Sequence, residues 1–213
     1  MSKDWIGGNK GFYTTNHRKK EEEVEENDFY ATHPDSVKLF LNAAKETNLT
    51  LPNNMWENAC GDGAISKVLK DNGYTVFSTD LVDRGYGEES GLDFLTNKKY
   101  DNKFDCIITN PPYAKCREFV ERSIEAVKDN GLVVMFMKLT FLESAKRYSL
   151  FKQYPPKYVY VHVDRQGCGK GGGTFKNSGA AAYCWYVWQK GCTSEPIIGW
   201  IQQQNEENIN ECI

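Results

Sequence analysis

No apolar run in the chain approaches the roughly eighteen residues that cross a bilayer, and the opening stretch Met1 to Lys10 is polar. Neither a membrane span nor a signal peptide is expected. Histidine is scarce, with three in the chain, and the seven cysteines (60, 106, 116, 168, 184, 192 and 212) contain no C-x-x-C pair. That spacing excludes the common structural zinc frameworks, and an odd number of thiols without a pairing pattern points to reduced cysteines in a cytoplasmic protein. An excess of positive charge is also missing, since the net charge is −3. The sum hides an asymmetry: residues 1–110 carry 13 Lys+Arg against 19 Asp+Glu, residues 111–193 carry 13 against 6, and residues 194–213 carry none against 4. A basic face built by the second half is therefore compatible with a polyanionic partner.

What is present fits one domain. The chain has 213 residues, 40% hydrophobic and 13% aromatic, enough for one sizeable core and too few for a second full domain. Residues 1–27, with the run Arg18 to Glu26, read as a polar, partly flexible arm, and the tail 202–213 as frayed. From Pro34, the spacing of Val37, Phe40, Leu41 and Ala44 predicts an amphipathic helix, with Asp35 or Ser36 placed to cap it. The chain then alternates. Met55–Ala59 predicts a strand, Gly61–Gly63 a turn, Ile65–Asn72 a helix stopped by Gly73, and Thr75–Thr79 a strand. Phe104–Thr109 predicts a strand, Arg117–Lys128 a helix and Gly131–Met137 another strand. This βαβ rhythm implies an α/β, Rossmann-like, doubly wound and mostly parallel sheet. A helix over Phe141–Tyr154 follows, and then strands Tyr158–Val163 and Ala181–Gln189, whose long connection predicts an antiparallel edge hairpin.

Two constellations carry chemistry. The Gly61-x-Gly63 turn after the first strand of the repeat lets a ligand approach the backbone, and Asp80, seventeen residues past Gly63, stands where doubly wound folds place the carboxylate that binds ribose hydroxyls. Ser66 replaces the third glycine of the dinucleotide fingerprint, which counts against NAD or FAD. The second constellation is Asn110-Pro111-Pro112-Tyr113, directly after a buried strand. An aromatic amine such as adenine N6 is a poor nucleophile because its lone pair is delocalised into the ring. Acceptors on its two N–H groups, here Asn110 Oδ1 and the Pro111 carbonyl, favour the pyramidal, nucleophilic form. The prolines hold those acceptors in place, and Tyr113 offers a ring on which the base can stack.

With these residues in view, the sequence resembles the S-adenosylmethionine-dependent amino-methyltransferases, most closely the small phage-type DNA adenine-N6 methyltransferases, over roughly Asp28 to Trp200. The resemblance implies a methyltransferase domain at 28–201 and S-adenosyl-L-methionine as cofactor. It places the cofactor segment at Asp28 to Pro34 (Phe29, Tyr30 and Thr32) and the glycine-rich loop at Glu57 to Gly63 (Glu57, Ala59, Cys60, Gly61 and Gly63). Asp80 matches the ribose-binding acid, Asp93-Phe94 the cofactor-adenine segment, and Asn110, Pro111, Pro112 and Tyr113 the catalytic loop. Ala181 to Trp188 is similar to the family's closing aromatic strand. His33 and Asn58 stand where the family usually has proline, and no segment is long enough for a separate target-recognition domain. The mechanism so implied needs neither metal nor covalent intermediate, only in-line alignment of a flipped-out base.

The stretch Asp164–Gly179, with six glycines and Arg165, Lys170 and Lys176, reads as a mobile basic loop suited to nucleic-acid phosphates, those of DNA on this resemblance. Two other enzyme substrates share the lone-pair problem, RNA adenine N6 and the protein glutamine N5 amide. A catalytically idle nucleic-acid-binding module is a further alternative. Oligomeric state is not legible here.

Overall fold

The structure, a computed structural model, describes residues 29–164, 168–170 (backbone) and 181–202. The expected arm 1–27, Arg165, Lys176 and the tail beyond residue 202 lie outside the described residues.

Ten strands and four α-helices are present among the described residues. They are β1 (Tyr30–Thr32), α1 (Pro34–Glu46), β2 (Asn54–Glu57), α2 (Ala64–Asp71), β3 (Thr75–Asp80), β4 (Glu89–Ser90) and β5 (Cys106–Thr109). There follow α3 (Cys116–Ala126), β6 (Leu132–Lys138), α4 (Tyr148–Gln153), β7 (Tyr158–His162), β8 (Cys168–Lys170), β9 (Tyr183–Gln189) and β10 (Ile197–Ile201). Eight strands form one sheet in the order β10-β7-β9-β6-β5-β2-β3-β4, and β1 and β8 pair separately. Neighbours in the large sheet run parallel except at β9, which is antiparallel to both β6 and β7. The antiparallel β7–β9 pairing follows from a connection that carries no crossover helix.

The central strands are continuously apolar because both faces of the sheet are covered. Successive side chains alternate between two cores. Met55, Ile108, Val134 and Trp185 join α1 and α2 through Val37, Phe40 and Leu69. Trp56, Ile107, Val133, Tyr186 and Trp188 join α3 through Phe119 and Val120. The helices that follow β2 and β5 therefore leave toward opposite faces. The order of strands reverses between β2 and β5, which opens a crevice at their carboxyl ends.

Four features depart from the sequence expectations. Helix α1 is capped not by Asp35 or Ser36 but by His33, whose Nδ1 accepts the Asp35 N–H at 3.1 Å, one residue before Pro34. Proline at the first helical position lacks only an N–H that has no helical acceptor, so it moves the start of the helix forward. Ser36 is instead buried, with its Oγ 2.9 Å from His162 Nε2. The helix expected over Phe141–Tyr154 breaks into two 3₁₀ turns and the short α4. The Arg147 guanidinium draws off the carbonyls of Thr140, Phe141 and Glu143, and Ser144 Oγ caps Lys146 N–H at 3.1 Å, so no continuous i to i+4 ladder forms. The glycine-rich stretch is not simply a loop, since its residues 168–170 form β8 against β1, with Tyr30 opposite Lys170 and Thr32 opposite Cys168. Finally, Ile197–Ile201, read from sequence as no element, adds a parallel strand outside β7. No helix among the described residues is long and apolar enough to cross a membrane.

Candidate functional site

A cavity of about 520 Å³ occupies the crevice, within the usual range of small-molecule sites. It collects segments far apart in sequence: Phe29, Tyr30 and Thr32; Glu57, Ala59 and Cys60; Asp80; Asp93 and Phe94; and Asn110 and Pro112. Gly61, Gly63, Pro111 and Tyr113 do not line it but support residues that do. The Lys170 backbone sits in β8 opposite Tyr30, one of the lining residues.

The turn after β2 is shaped by carboxylates on either side. Asp80, at the end of β3, accepts the Gly61 N–H on Oδ2 at 2.7 Å and the Val82 N–H on Oδ1 at 2.9 Å. This fixes its carboxylate at the cavity wall and leaves each oxygen a second lone pair. Gly61 (φ +57°) and Gly63 (φ +80°) adopt left-handed backbone that favours glycine. The room they leave is used by the protein's own aromatics: a Cβ on Gly61 would lie 2.3 Å from the Phe29 ring, and one on Gly63 2.4 Å from the Tyr86 ring. Phe29 in turn carries the Arg84 guanidinium over its ring at 4.2 Å.

Glu57 is buried, and its Oε2 accepts both the Ser66 N–H at 2.9 Å and the Ser66 hydroxyl. Burial pushes the Glu57 carboxyl up to about 8 against the opposing pull of the Ser66 hydrogen bonds, and the negative charges of Asp80 and Asp62 add to the rise. Burial likewise pushes up the Cys60 thiol, so it stays protonated and is no nucleophile at neutral pH. Asp93 spends its carboxylate on its own turn, with Oδ1 accepting Leu95 N–H at 3.0 Å and Oδ2 accepting the Thr96 hydroxyl at 3.1 Å. Phe94 presents to the cavity from a buried position against Trp56 and Phe119, both ring centroids at 5.2 Å.

At the carboxyl end of β5 the Asn110 amide is locked. Its Nδ2 donates to the Tyr30 carbonyl at 2.8 Å and to Thr32 Oγ1 at 3.0 Å. A carbonyl can only accept, so the amino group must face β1 and Oδ1 must face away. Oδ1 is buried and makes no hydrogen bond among the described residues. A buried acceptor left unpaired is costly and rare, and in a residue that lines the cavity it is a candidate acceptor for a donor from outside. The loop beyond is closed by the Pro112 carbonyl, which accepts Lys115 N–H at 2.9 Å. Tyr113 stacks on Tyr30 at 5.0 Å, its hydroxyl meets that of Tyr183 at 3.1 Å, and the Lys138 ammonium lies over its ring at 4.7 Å. Strand β1 thus ties the cavity's outer wall to the Asn110 loop through one amide and one ring stack.

Sequence reasoning missed Arg84, Leu81, Lys115 and Asn58 in the lining. Asn58 Oδ1 is a second buried acceptor without a partner, its Nδ2 lying 3.4 Å from Ser123 Oγ. Its position next to Ala59 in the glycine-rich turn was the available signal. Arg84 and Leu81 lie on the loop after β3, where nothing in the residue pattern marks them. Among the described residues, no group of three or more His, Cys, Asp or Glu side chains is arranged to hold a metal ion.

No family model and no curated protein matches the sequence. Among solved structures, the fold is similar to a candidate class I S-adenosylmethionine-dependent methyltransferase of Listeria monocytogenes, with 14% identity and a TM-score of 0.55 over 80% of this chain and 65% of that one. It is also similar to a candidate RNA methyltransferase of Pyrococcus horikoshii (12% identity, TM-score 0.54, 80% and 90% coverage). A third is the type I restriction-modification system methyltransferase subunit of Streptococcus thermophilus (14% identity, TM-score 0.53, 82% of this chain and 47% of that one). The fold is therefore the Rossmann-like one of the class I methyltransferases.

Proposed function

We propose that this chain is an S-adenosylmethionine-dependent methyltransferase acting on an exocyclic amino nitrogen, adenine N6 in DNA. The observation that carries the reading is the buried, unpaired Oδ1 of Asn110, oriented by Tyr30 and Thr32 at the wall of the cavity. S-adenosylmethionine, when bound, supplies an activated methyl sulfonium. The cavity suits a cation with a nucleoside portion: Asp62, Asp80 and Asp93 contribute three carboxylates to its lining against Arg84 and Lys115, with Glu57 beside them as a neutral acid. On this reading Asp80 holds the ribose, Phe29, Tyr30 and Phe94 form the apolar walls, and Thr32, Glu57, Ala59 and Cys60 complete the cofactor's surroundings within a domain spanning 28–201.

Asn110 Oδ1 then accepts one N–H of the target amine, and the Pro111 carbonyl accepts the other. Both interactions strengthen as the nitrogen becomes tetrahedral and positively charged, so they act on the transition state more than on the ground state. Proline on both sides of the Pro111 carbonyl limits the backbone's freedom, which lowers the cost of positioning. Tyr113 stacks on Tyr30 and carries the Lys138 ammonium over its ring, so on this reading an extruded base stacks on it in place of Lys138, and Arg165, Lys170 and Lys176 belong to the stretch that would meet phosphates.

The preference for nucleic acid over protein rests on the excess of Lys and Arg in residues 111–193. That for DNA rests on the sequence resemblance, in keeping with one structural neighbour being a restriction-modification methyltransferase subunit. Incubating the protein with S-adenosylmethionine labelled in the methyl group and with DNA, RNA or protein separates the readings. Label in DNA as N6-methyladenine, absent with Asn110→Ala, is the expected result. Label confined to RNA or to glutamine overturns the substrate assignment, and no transfer to any amine overturns the enzymatic one.

A further inference from the structure

Among the described residues the large sheet ends at β10, and this edge lacks the usual protections against pairing. Natural edge strands carry lysines, internal prolines or bulges, or are very short. The opposite edge, β4, is two residues long. Strand β10 is Ile-Ile-Gly-Trp-Ile, five residues with no charge and no proline, and its Ile197, Ile198 and Trp200 are 53%, 59% and 67% exposed. Val163 beside it is also exposed. Large apolar side chains at such exposure, gathered on one edge, mark an interaction surface.

The backbone polarity of the edge is defined by its inner neighbour. Ile197 N–H donates to the Lys157 carbonyl at 3.1 Å, and the Ile201 carbonyl accepts Val163 N–H at 3.0 Å. Odd-numbered residues of β10 thus turn their peptide groups toward β7. By strand alternation, the N–H and C=O of Ile198 and Trp200 point outward. The side chains split the same way. Ile201 is buried in the core under α1, and a Cβ on Gly199 would lie 2.8 Å from the Tyr160 ring, so Ile198 and Trp200 share the other face.

We propose that β10 pairs antiparallel with β10 of a second copy of this chain across a two-fold axis at Gly199. In that register Ile198 of each copy stands opposite Trp200 of the other. Both residues direct their N–H and C=O outward, so each pair is of the hydrogen-bonded kind and the two pairs exchange four hydrogen bonds. The same register places a β-branched residue against an aromatic one on both sides of the axis, a favourable cross-strand combination. Backbone polarity and side-chain pairing therefore select one self-complementary alignment, as a two-fold interface requires. The strand itself carries no charge, so no like charges face each other within the paired segment. Paired strands of five residues make a small contact, of the weak and transient class of interface and not the obligate one.

Sedimentation velocity of the full-length protein over about 1–100 μM tests this. The wild type is expected to pass from monomer to dimer. Ile198→Pro removes only an outward N–H and leaves the β7 ladder intact, and it should raise the dissociation constant by roughly tenfold or more. I198K/W200K sets like charges opposite each other in the proposed register and should raise it roughly 100-fold. I198E/W200K sets opposite charges there and should restore dimerisation to within about tenfold of wild type, with loss at high salt. Circular dichroism and thermal melts of each variant check that the monomer is folded. A wild type that stays monomeric across the range overturns the proposal and leaves the edge to a different partner. Dimerisation of I198K/W200K at wild-type strength, or I198E/W200K no better than I198K/W200K, overturns it as well.

Discussion

Replacing Asn110 by alanine removes a structural role and, on the proposed function, a catalytic one. The first is structural: Nδ2 bridges the Tyr30 carbonyl and Thr32 Oγ1, and Thr32 is buried. Leaving those acceptors without a donor costs about 1–3 kcal/mol, which for a chain of this size lowers the melting temperature by roughly 2–10 °C. The second is catalytic. Loss of one preorganised hydrogen-bonding group at a reacting centre typically lowers turnover by roughly 10²–10³, or about 2.7–4 kcal/mol. Cofactor affinity should stay within a few-fold, because Asp80, Glu57 and Phe94 hold the rest of the cavity in place. Thr32→Val separates the two functions further. It removes one acceptor from Nδ2 but leaves the Tyr30 carbonyl, which still forbids an amide flip, so turnover should fall by about tenfold and no more. Single-turnover methyl transfer to DNA, with cofactor binding by calorimetry, reads both. If Asn110→Ala keeps turnover within threefold of wild type, or if Thr32→Val is as damaging as Asn110→Ala, the argument from the orphaned Oδ1 fails.

Three further outcomes are expected. The Glu57 carboxyl, pushed up to about 8 by burial, is protonated in the folded chain at neutral pH and ionised in the unfolded one. Its contribution to stability is therefore full below about pH 4.5 and is lost as pH rises through 8, by an amount on the order of a few kcal/mol. Glu57→Gln should flatten that decline in pH-dependent thermal melts, and an unchanged profile would exclude Glu57 as its source. His162 is depressed to about 4 by burial, so its contribution is present above pH 6.5 and lost as pH falls toward 4; His162→Gln should weaken the acid-side loss in the same melts. For Gly63→Ala, a Cβ 2.4 Å from the Tyr86 ring at φ +80° should destabilise the chain by about 1–3 kcal/mol in denaturant unfolding. Adding Tyr86→Ala should recover the steric part and leave the backbone strain. Additive losses in the double variant would show that the ring is not the obstacle.

Local pattern was enough for the elements that repeat. The alternation of β2, α2, β3, β5, α3 and β6 was legible because β5 and β6 are almost wholly apolar, each strand has glycine or asparagine close to at least one end, and each helix shows one apolar face. Asn110 and Asp80 were legible as residues of one crevice because strand ends in a doubly wound sheet converge there, so position along the chain already implies position in space. Tertiary structure decided whatever depends on partners distant in sequence. That Asn110 presents Oδ1 and not Nδ2 follows only from a carbonyl eighty residues upstream. The glycines of the turn yield their room to Phe29 and Tyr86, and Asp80 spends hydrogen bonds on Gly61 and Val82, which no spacing rule contains. The break in the helix expected at 141–154 comes from one arginine taking three carbonyls, β1 and β8 are too short to be seen without each other, and β10, no shorter than β5, shows nothing in its own residues of the strand it pairs with. Propensity and periodicity are properties of neighbours along the chain. The direction of an amide, the filling of a turn and the edge of a sheet are settled by contacts that exist only once the chain has folded.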